Sequence, residues 1–363
     1  MDSTKYYKSK EEIMRNMLRW ILLISYIVAF TVGGIGWAAK AEARDVVKLN
    51  YAHPFPEKFP FNKSEIWFAN EINKRGKGKV QVKVYWGGSL GKTAALPGLI
   101  RSGGVDIAAI VPGYYPGEFP LCVGTNNVFF VNKTREEAVA VVHDLYFKGP
   151  MNDELNRHNM KPLFAHVLNP YNLWTREPVE DFDDLSGLKI RTWGPYLPKL
   201  CETVGAIGVE MVVAEWFEGM ERGAVGAGLF ANDMAMFMKV NEVAKHCTTV
   251  NFGVTSGPVI AMNTGRWNSL PQDVKDVFLD VMDEMPDKEL EVAYSITDWA
   301  TKVMEERGVK VYEFPKEKRR EWISKTPSFA KMWLDNLKKS GLEKEGKECW
   351  KQWQEILAEM RSQ

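Results

Sequence analysis

From residue 44 onward, apolar and polar positions follow two alternating rhythms. Val47, Leu49 and Tyr51 recur at every second position, which predicts a strand. Asn62 opens a predicted helix, with Glu65 three residues on as a capping box and Gly76 as its stop. Val80, Val82 and Val84 predict the next strand, and a short helix follows the glycine-rich turn at 87–91. The run from Val105 to Val111 reads as a buried strand. Thr134 with Glu137 makes a second capping box, for a helix that stops at Gly149 and Pro150. This β-α-β-α order predicts a mostly parallel sheet with helices on its faces.

A second series begins near Lys161. Strands are expected over 162–168, 188–192, 209–213, 227–231 and 258–263, with helices at 197–204 and 215–222 between them. From Pro271, a favourable first-turn residue, a long helical stretch runs to Arg307 with Pro286 as its one interruption. Gly308 ends it, and 309–314 is a further strand. The tail from Glu317 is helical and charged, with Trp322, Trp333, Leu337 and Trp353 on its apolar face. No repeat or low-complexity linker divides the chain, which fits two α/β lobes sharing crossover segments.

The N-terminus follows another pattern. Arg15 and Arg19 precede an apolar run from Trp20 to Trp37, and Ala39-Lys-Ala41 and Ala41-Glu-Ala43 follow it. Basic flank, apolar run and small-x-small site read as a secretory signal peptide over 1–43, cleaved after Ala43. An uncleaved anchor is the alternative, because the run approaches the length of a bilayer span. Either way the body is expected outside the cytoplasm.

The whole chain has 363 residues, more than one ordinary domain, with 47 basic and 47 acidic side chains. That balance demands no strongly basic face, so nucleic acid is not the expected partner. Cys122, Cys201, Cys247 and Cys349 show no C-x-x-C spacing, so simple zinc and redox motifs are absent. Buried free thiols are expected, although an oxidising compartment permits a disulfide. No pair of histidines has helix-borne metal spacing, and neither metal nor cofactor is expected. His53, where the first strand ends, suits either a ligand contact or turn duty.

Two motifs invite false readings. Gly91-Lys92-Thr93 resembles the end of a phosphate loop, but Trp86 stands where that loop needs glycine. Gly87-Gly-Ser89-Leu-Gly91 matches a hydrolase nucleophile elbow, which makes a secreted serine hydrolase using Ser89 the enzyme alternative. Its partners would be an acid and His166 or His246, neither of which has a recognisable context. The segment around Leu188-Lys-Ile-Arg191 is more informative, because Arg191 falls at a strand end, off the face of Leu188 and Ile190. A guanidinium there offers a planar fork to a ligand carboxylate or joins a surface ion pair.

Several segments together resemble the solute-binding subunits of tripartite ATP-independent periplasmic (TRAP) transporters, the dicarboxylate-binding type. They are Val-Tyr-Trp-Gly-Gly-Ser-Leu-Gly at 84–91, Gly-Gly-Val-Asp-Ile at 103–107 and Gly-Tyr-Tyr-Pro-Gly-Glu-Phe-Pro-Leu at 113–121. Leu-Ser-Gly-Leu-Lys-Ile-Arg at 185–191, Glu-Trp-Phe-Glu-Gly-Met-Glu-Arg-Gly at 215–223 and Trp-Asn-Ser-Leu-Pro at 267–271 complete the series. The resemblance covers nearly the whole mature chain. It implies a two-lobed clamshell with mixed, mostly parallel sheets, crossover hinge strands and a long helix spanning both lobes. The expected divisions are 44–168 for lobe 1, 169–256 for lobe 2, 257–300 for the return and spanning helix, and 301–363 for completion of lobe 2.

The resemblance also implies that Arg191 pairs with a ligand carboxylate. Where some members carry a second Arg, this chain reads Asn169-Pro-Tyr171-Asn172, and a cleft position that is often Asn falls on Phe230. With Trp193, Trp86 and Tyr114 nearby in motif order, the pocket is expected to favour a monocarboxylate with an apolar or aromatic body over a small diacid. Delivery to membrane permease subunits from the periplasm, as a monomer or homodimer, completes the expectation. A periplasmic ligand sensor for a receptor is the third reading.

Overall fold

The computed structural model describes Met14, Met17 and residues 45–362. The signal-peptide or anchor expectation falls outside the described residues. Eleven strands are defined here: β1 (Val47–Ala52), β2 (Val80–Tyr85), β3 (Ile107–Ile110), β4 (Met160–Val167), β5 (Tyr171–Thr175), β6 (Lys189–Thr192), β7 (Ile207–Glu210), β8 (Ala227–Ala231), β9 (His246–Thr249), β10 (Ser256–Asn263) and β11 (Lys310–Glu313).

They form two sheets. The first has the order β2-β1-β3-β10-β4, and the second β11-β9-β5-β8-β6-β7. In the first, β1 runs parallel to β2 and β3, whereas β10 is antiparallel to both β3 and β4. In the second, β6 is parallel to β7 and β8, β11 is parallel to β9, and β5 is antiparallel to β8 and β9. The central strands β3, β8 and β10 are buried along their whole length, as expected where helices cover both faces.

The chain passes between the sheets at residues 168–170, returns at 250–255, and crosses again through the Met285–Glu306 helix into β11. That helix packs on the Asn62–Arg75 and Arg135–Phe147 helices and on the Asn232–Phe237 helix that follows β8. Pro286 lies in its first turn, so it starts this helix after the Gln272–Asp283 helix has ended.

The helix starts correct two expectations. Glu65 is no capping residue: Phe61 is the N-cap, without a side-chain bond, and Glu65 is fully buried. Thr134 does cap its helix by accepting from Glu137 N at 3.2 Å, but the Glu137 carboxylate turns to Lys133 N at 2.6 Å instead of closing the box. Pro150 also does more than stop a helix, since it opens another that runs to Arg157. The strands β5 and β9 had no counterpart in the sequence pattern. All four cysteines are buried free thiols.

Candidate functional site

Arg191 is the next-to-last residue of β6, paired to Gly228 of β8 and Val209 of β7. Because β6 lies inside the sheet, the side chain is only 2% exposed. Its Nε donates to the Met211 carbonyl at 2.9 Å, and the Tyr114 hydroxyl bonds to the guanidinium from the end of the first sheet. The guanidinium lies 4.6 Å from the centre of the Trp193 ring and 5.9 Å from that of Phe230, in cation–π range. Burial pulls the Arg191 pKa down against the opposing pull of Tyr114 and Tyr171. No carboxylate pairs with it among the described residues.

Glycine makes this arrangement possible at one position. A Cβ on Gly228 would stand 2.4 Å from the Trp216 indole, so only glycine lets Trp216 lie against β8. Trp216 in turn packs edge-on to Phe230, with ring centres 4.8 Å apart, and fixes that phenyl beside the guanidinium.

These groups wall a cavity of about 40 Å³ between the two sheets. Tyr171, Arg191, Trp193, Phe230 and Met234 come from the second sheet and its following helix. Tyr114, Asn126 and the phenyls of Phe55, Phe59 and Phe61 come from the first, with Leu168, Gly257 and Pro258 beside the crossovers. Arg191 is the one charged lining residue among those described. Burial raises the pKa of both Tyr114 and Tyr171, so each phenol keeps its proton as a donor.

The cavity therefore brings together Arg191, Phe230, Trp193, Tyr171 and Tyr114, and leaves out Trp86 and His53. Both ring nitrogens of His53 are engaged: Nδ1 accepts from Phe55 N at 3.1 Å and Nε2 meets Glu65 at 2.8 Å. Trp86 lies behind it, edge-on at 4.8 Å between ring centres. The lining residues missed in the sequence are chiefly Phe55, Phe59 and Phe61. Their signal was three phenylalanines among prolines just past the carboxyl end of the first strand.

Behind that phenyl wall lies a second polar cluster. Glu65 receives Tyr51 Oη, His53 Nε2 and His166 Nε2, the last at 2.6 Å, and His166 Nδ1 reaches Glu289 at 3.1 Å. Burial opposes charge on Glu65, but the two imidazoles overcome it and hold its pKa at about 2. Burial likewise opposes charge on His166, yet Glu289 and Glu65 lift it to about 10. No group of three or more His, Cys, Asp or Glu residues among those described is placed to hold a metal ion.

Ser89 lacks the geometry of a nucleophile elbow. It is exposed, its neighbours Gly87 and Gly88 carry the left-handed backbone, and Ser89 itself does not. Of its proposed histidine partners, His166 is committed to Glu65 and His246 meets Tyr312 at 3.0 Å.

Two sheets joined by repeated crossings of the chain, with a charged group facing a cavity between them, define a two-lobed solute-binding protein. The chain belongs to the bacterial extracellular solute-binding protein family 7, whose model matches residues 51–336. A solute-binding protein of Albidiferax ferrireducens is 27% identical over 266 residues, 70% of this chain and 75% of that protein. A TRAP periplasmic solute-binding protein from Desulfovibrio salexigens, solved as an open complex, is 25% identical with a TM-score of 0.73, covering 86% of this chain and 96% of that one. A TRAP solute-binding protein from Rhodoferax ferrireducens, in complex with copurified benzoate, aligns with a TM-score of 0.77 at 19% identity, over 87% and 99% of the two chains. Among the described residues, no helix is long and apolar enough to cross a membrane.

Proposed function

We propose that this protein captures a monocarboxylate with an apolar or aromatic body in the periplasm and delivers it to the membrane subunits of a TRAP transporter. The carrying observation is a buried guanidinium with no carboxylate partner among the described residues, facing a cavity otherwise walled by rings, aliphatic side chains and the Asn126 amide. A buried charge is costly unless paired, and a ligand carboxylate supplies the pair. Tyr114 and Tyr171 donate to the same carboxylate, while Trp193, Phe230 and the three phenyls take the apolar body. A diacid would have to bury its second charge without a cation. The benzoate complex of the Rhodoferax ferrireducens protein supports this chemistry.

The cavity of about 40 Å³ is far smaller than the ~150 Å³ that takes a benzene ring. A ring-sized acid therefore enters an opened cleft and displaces the phenyl wall as the lobes shut. Lobe 1 (44–168) and lobe 2 (169–256) turn about 168–170 and 250–255, and the C-terminal Glu343–Ser362 helix rides on the Arg135–Phe147 helix of lobe 1. Closure is favoured because contacts to both lobes exist only when they are shut. The function is binding without chemistry, and Ser89 takes no part.

Protein purified under native conditions and weighed by mass spectrometry tests the reading. An adduct with the mass of an organic monoacid is expected. Tight calorimetric binding of succinate with none of benzoate contradicts it.

A further inference from the structure

Asp233 follows the cavity-lining strand β8 and precedes the lining residue Met234. It is 2% exposed and, among the described residues, belongs to no ion pair. Its Oδ1 accepts from Asn169 Nδ2 at 3.0 Å. The Asn169 Oδ1 accepts in turn from Arg135 Nε at 2.6 Å, and Arg135 also donates to Thr297 at 2.8 Å. A neutral amide on the crossover at 168–170 thus stands between a buried carboxylate and its nearest cation. On the cavity side, Tyr171 lies within the electrostatic reach of both Asp233 and Arg191.

We propose that Asp233 is a proton-binding site linked to the ligand cavity, taking up a proton from solvent when an anionic ligand binds. The inference rests on the carboxylate reading above. An anion beside Arg191 cancels the field of that cation and adds negative charge near a carboxylate that no ion pair stabilises, so the neutral acid becomes favoured. Burial already lifts Asp233 to about 6, against the bonds from Asn169 and the backbone N–H groups of Asp233 and Met234 and against the charge of Arg135. The other groups around it do not replace this role. Arg135 faces it from the 135–147 helix through Asn169, and Tyr171 from β5. On the 285–306 helix Thr297 is bound to Arg135, Tyr294 packs on Arg135, and Glu289 is engaged by His166 and Val167 N. Arg307 binds Met236 O and Asn241, at the far end of the short helix.

The sign follows from linkage. The ligand-bound form holds the higher Asp233 pKa, so it carries more protons and affinity falls as pH rises from about 5.5 to 8, where ordinary carboxylic acids stay ionised. A change of at most about tenfold is expected across that range. Benzoate binding to the full exported chain, measured by calorimetry at pH 6.5 in phosphate and in imidazole buffer, reports the protons exchanged. A fraction of a proton taken up is expected for wild type, and none for Asp233→Asn, which keeps the acceptor for Asn169. That variant should also bind with a flat pH profile, whereas uptake from surface histidines would persist in it. Binding with no uptake in wild type, or equal uptake in both proteins, overturns the inference alone. Failure of benzoate and every other monoacid to bind either protein at any pH overturns the carboxylate reading and this inference with it.

Discussion

Arg191 and Glu65 are both charged, both sealed from solvent and both set against aromatic rings, yet their surroundings are opposite. Glu65 meets a phenol and two imidazoles, with a second carboxylate closing the chain at His166. Every demand made by its charge is answered within the protein. Arg191 has one carbonyl, one phenol and the faces of two rings, and no anion among the described residues. Burial drives both groups toward neutrality, but only at Glu65 do neighbours reverse the effect. A satisfied buried charge holds a structure together, while an unsatisfied one facing a cavity is arranged for something that arrives later.

The largest expected effect is on binding at Arg191. Truncating one partner of a buried charge pair costs about 2–5 kcal/mol, so Arg191→Ala should weaken a monoacid roughly thirty-fold to several thousand-fold. Its melting temperature without ligand should hold or rise, since an uncompensated buried charge is removed. Arg191→Lys should recover only part of the affinity, because an ammonium keeps charge without the two-pronged geometry. Next comes stability at Glu65, where breaking a buried pair costs about 3–5 kcal/mol. Glu65→Gln should melt well below wild type.

The pH profile sharpens the same contrast. Glu65 is depressed from 4.5 to about 2, so its contribution is present above about 4.5 and is lost as pH falls toward 2. His166 is raised from 6.5 to about 10, so its contribution is present below 6.5 and is lost as pH rises toward 10. Melting curves across pH should therefore show a plateau between those limits in wild type and a flatter profile in Glu65→Gln. Parallel profiles would mean that the cluster does not carry these charges. A smaller effect is expected at Phe230, where Ala should weaken benzoate by about 1.5–3 kcal/mol and succinate much less. Smallest is Trp86→Phe, expected to change affinity by less than about twofold, since His53 stands between Trp86 and the phenyl wall. A tenfold loss there would put the indole in the cavity.

Much of this arrangement was legible in the sequence. Period-two runs such as Val47, Leu49 and Tyr51 gave β1 and β2, and β8 appeared with its limits unchanged, because a fully apolar run bounded by turns leaves little choice. The strand β5, Tyr-Asn-Leu-Trp-Thr, was hidden because its polar residues are buried along with its apolar ones, so no alternation survives. The strand β9, His-Cys-Thr-Thr, was hidden for lack of apolar residues, although its pairing with β5 and β11 holds it in the sheet. At the cavity, Arg191 and Phe230 were accessible through motif order. His53 and Trp86 stand at the carboxyl ends of adjacent strands, where ligands usually bind, but Glu65 claims His53 first. That claim was invisible because Glu65 sat three residues into a helix, where a capping role explains it equally well.

The most direct test of the central claim is a four-corner cycle in calorimetry: wild type and Arg191→Ala, each with benzoate and with its methyl ester. If Arg191 holds the carboxylate, esterification should weaken wild type severely and the variant little, because both changes remove the same interaction. Two losses that simply add would mean that Arg191 does not touch the carboxylate, and the cavity would need another explanation for its buried cation.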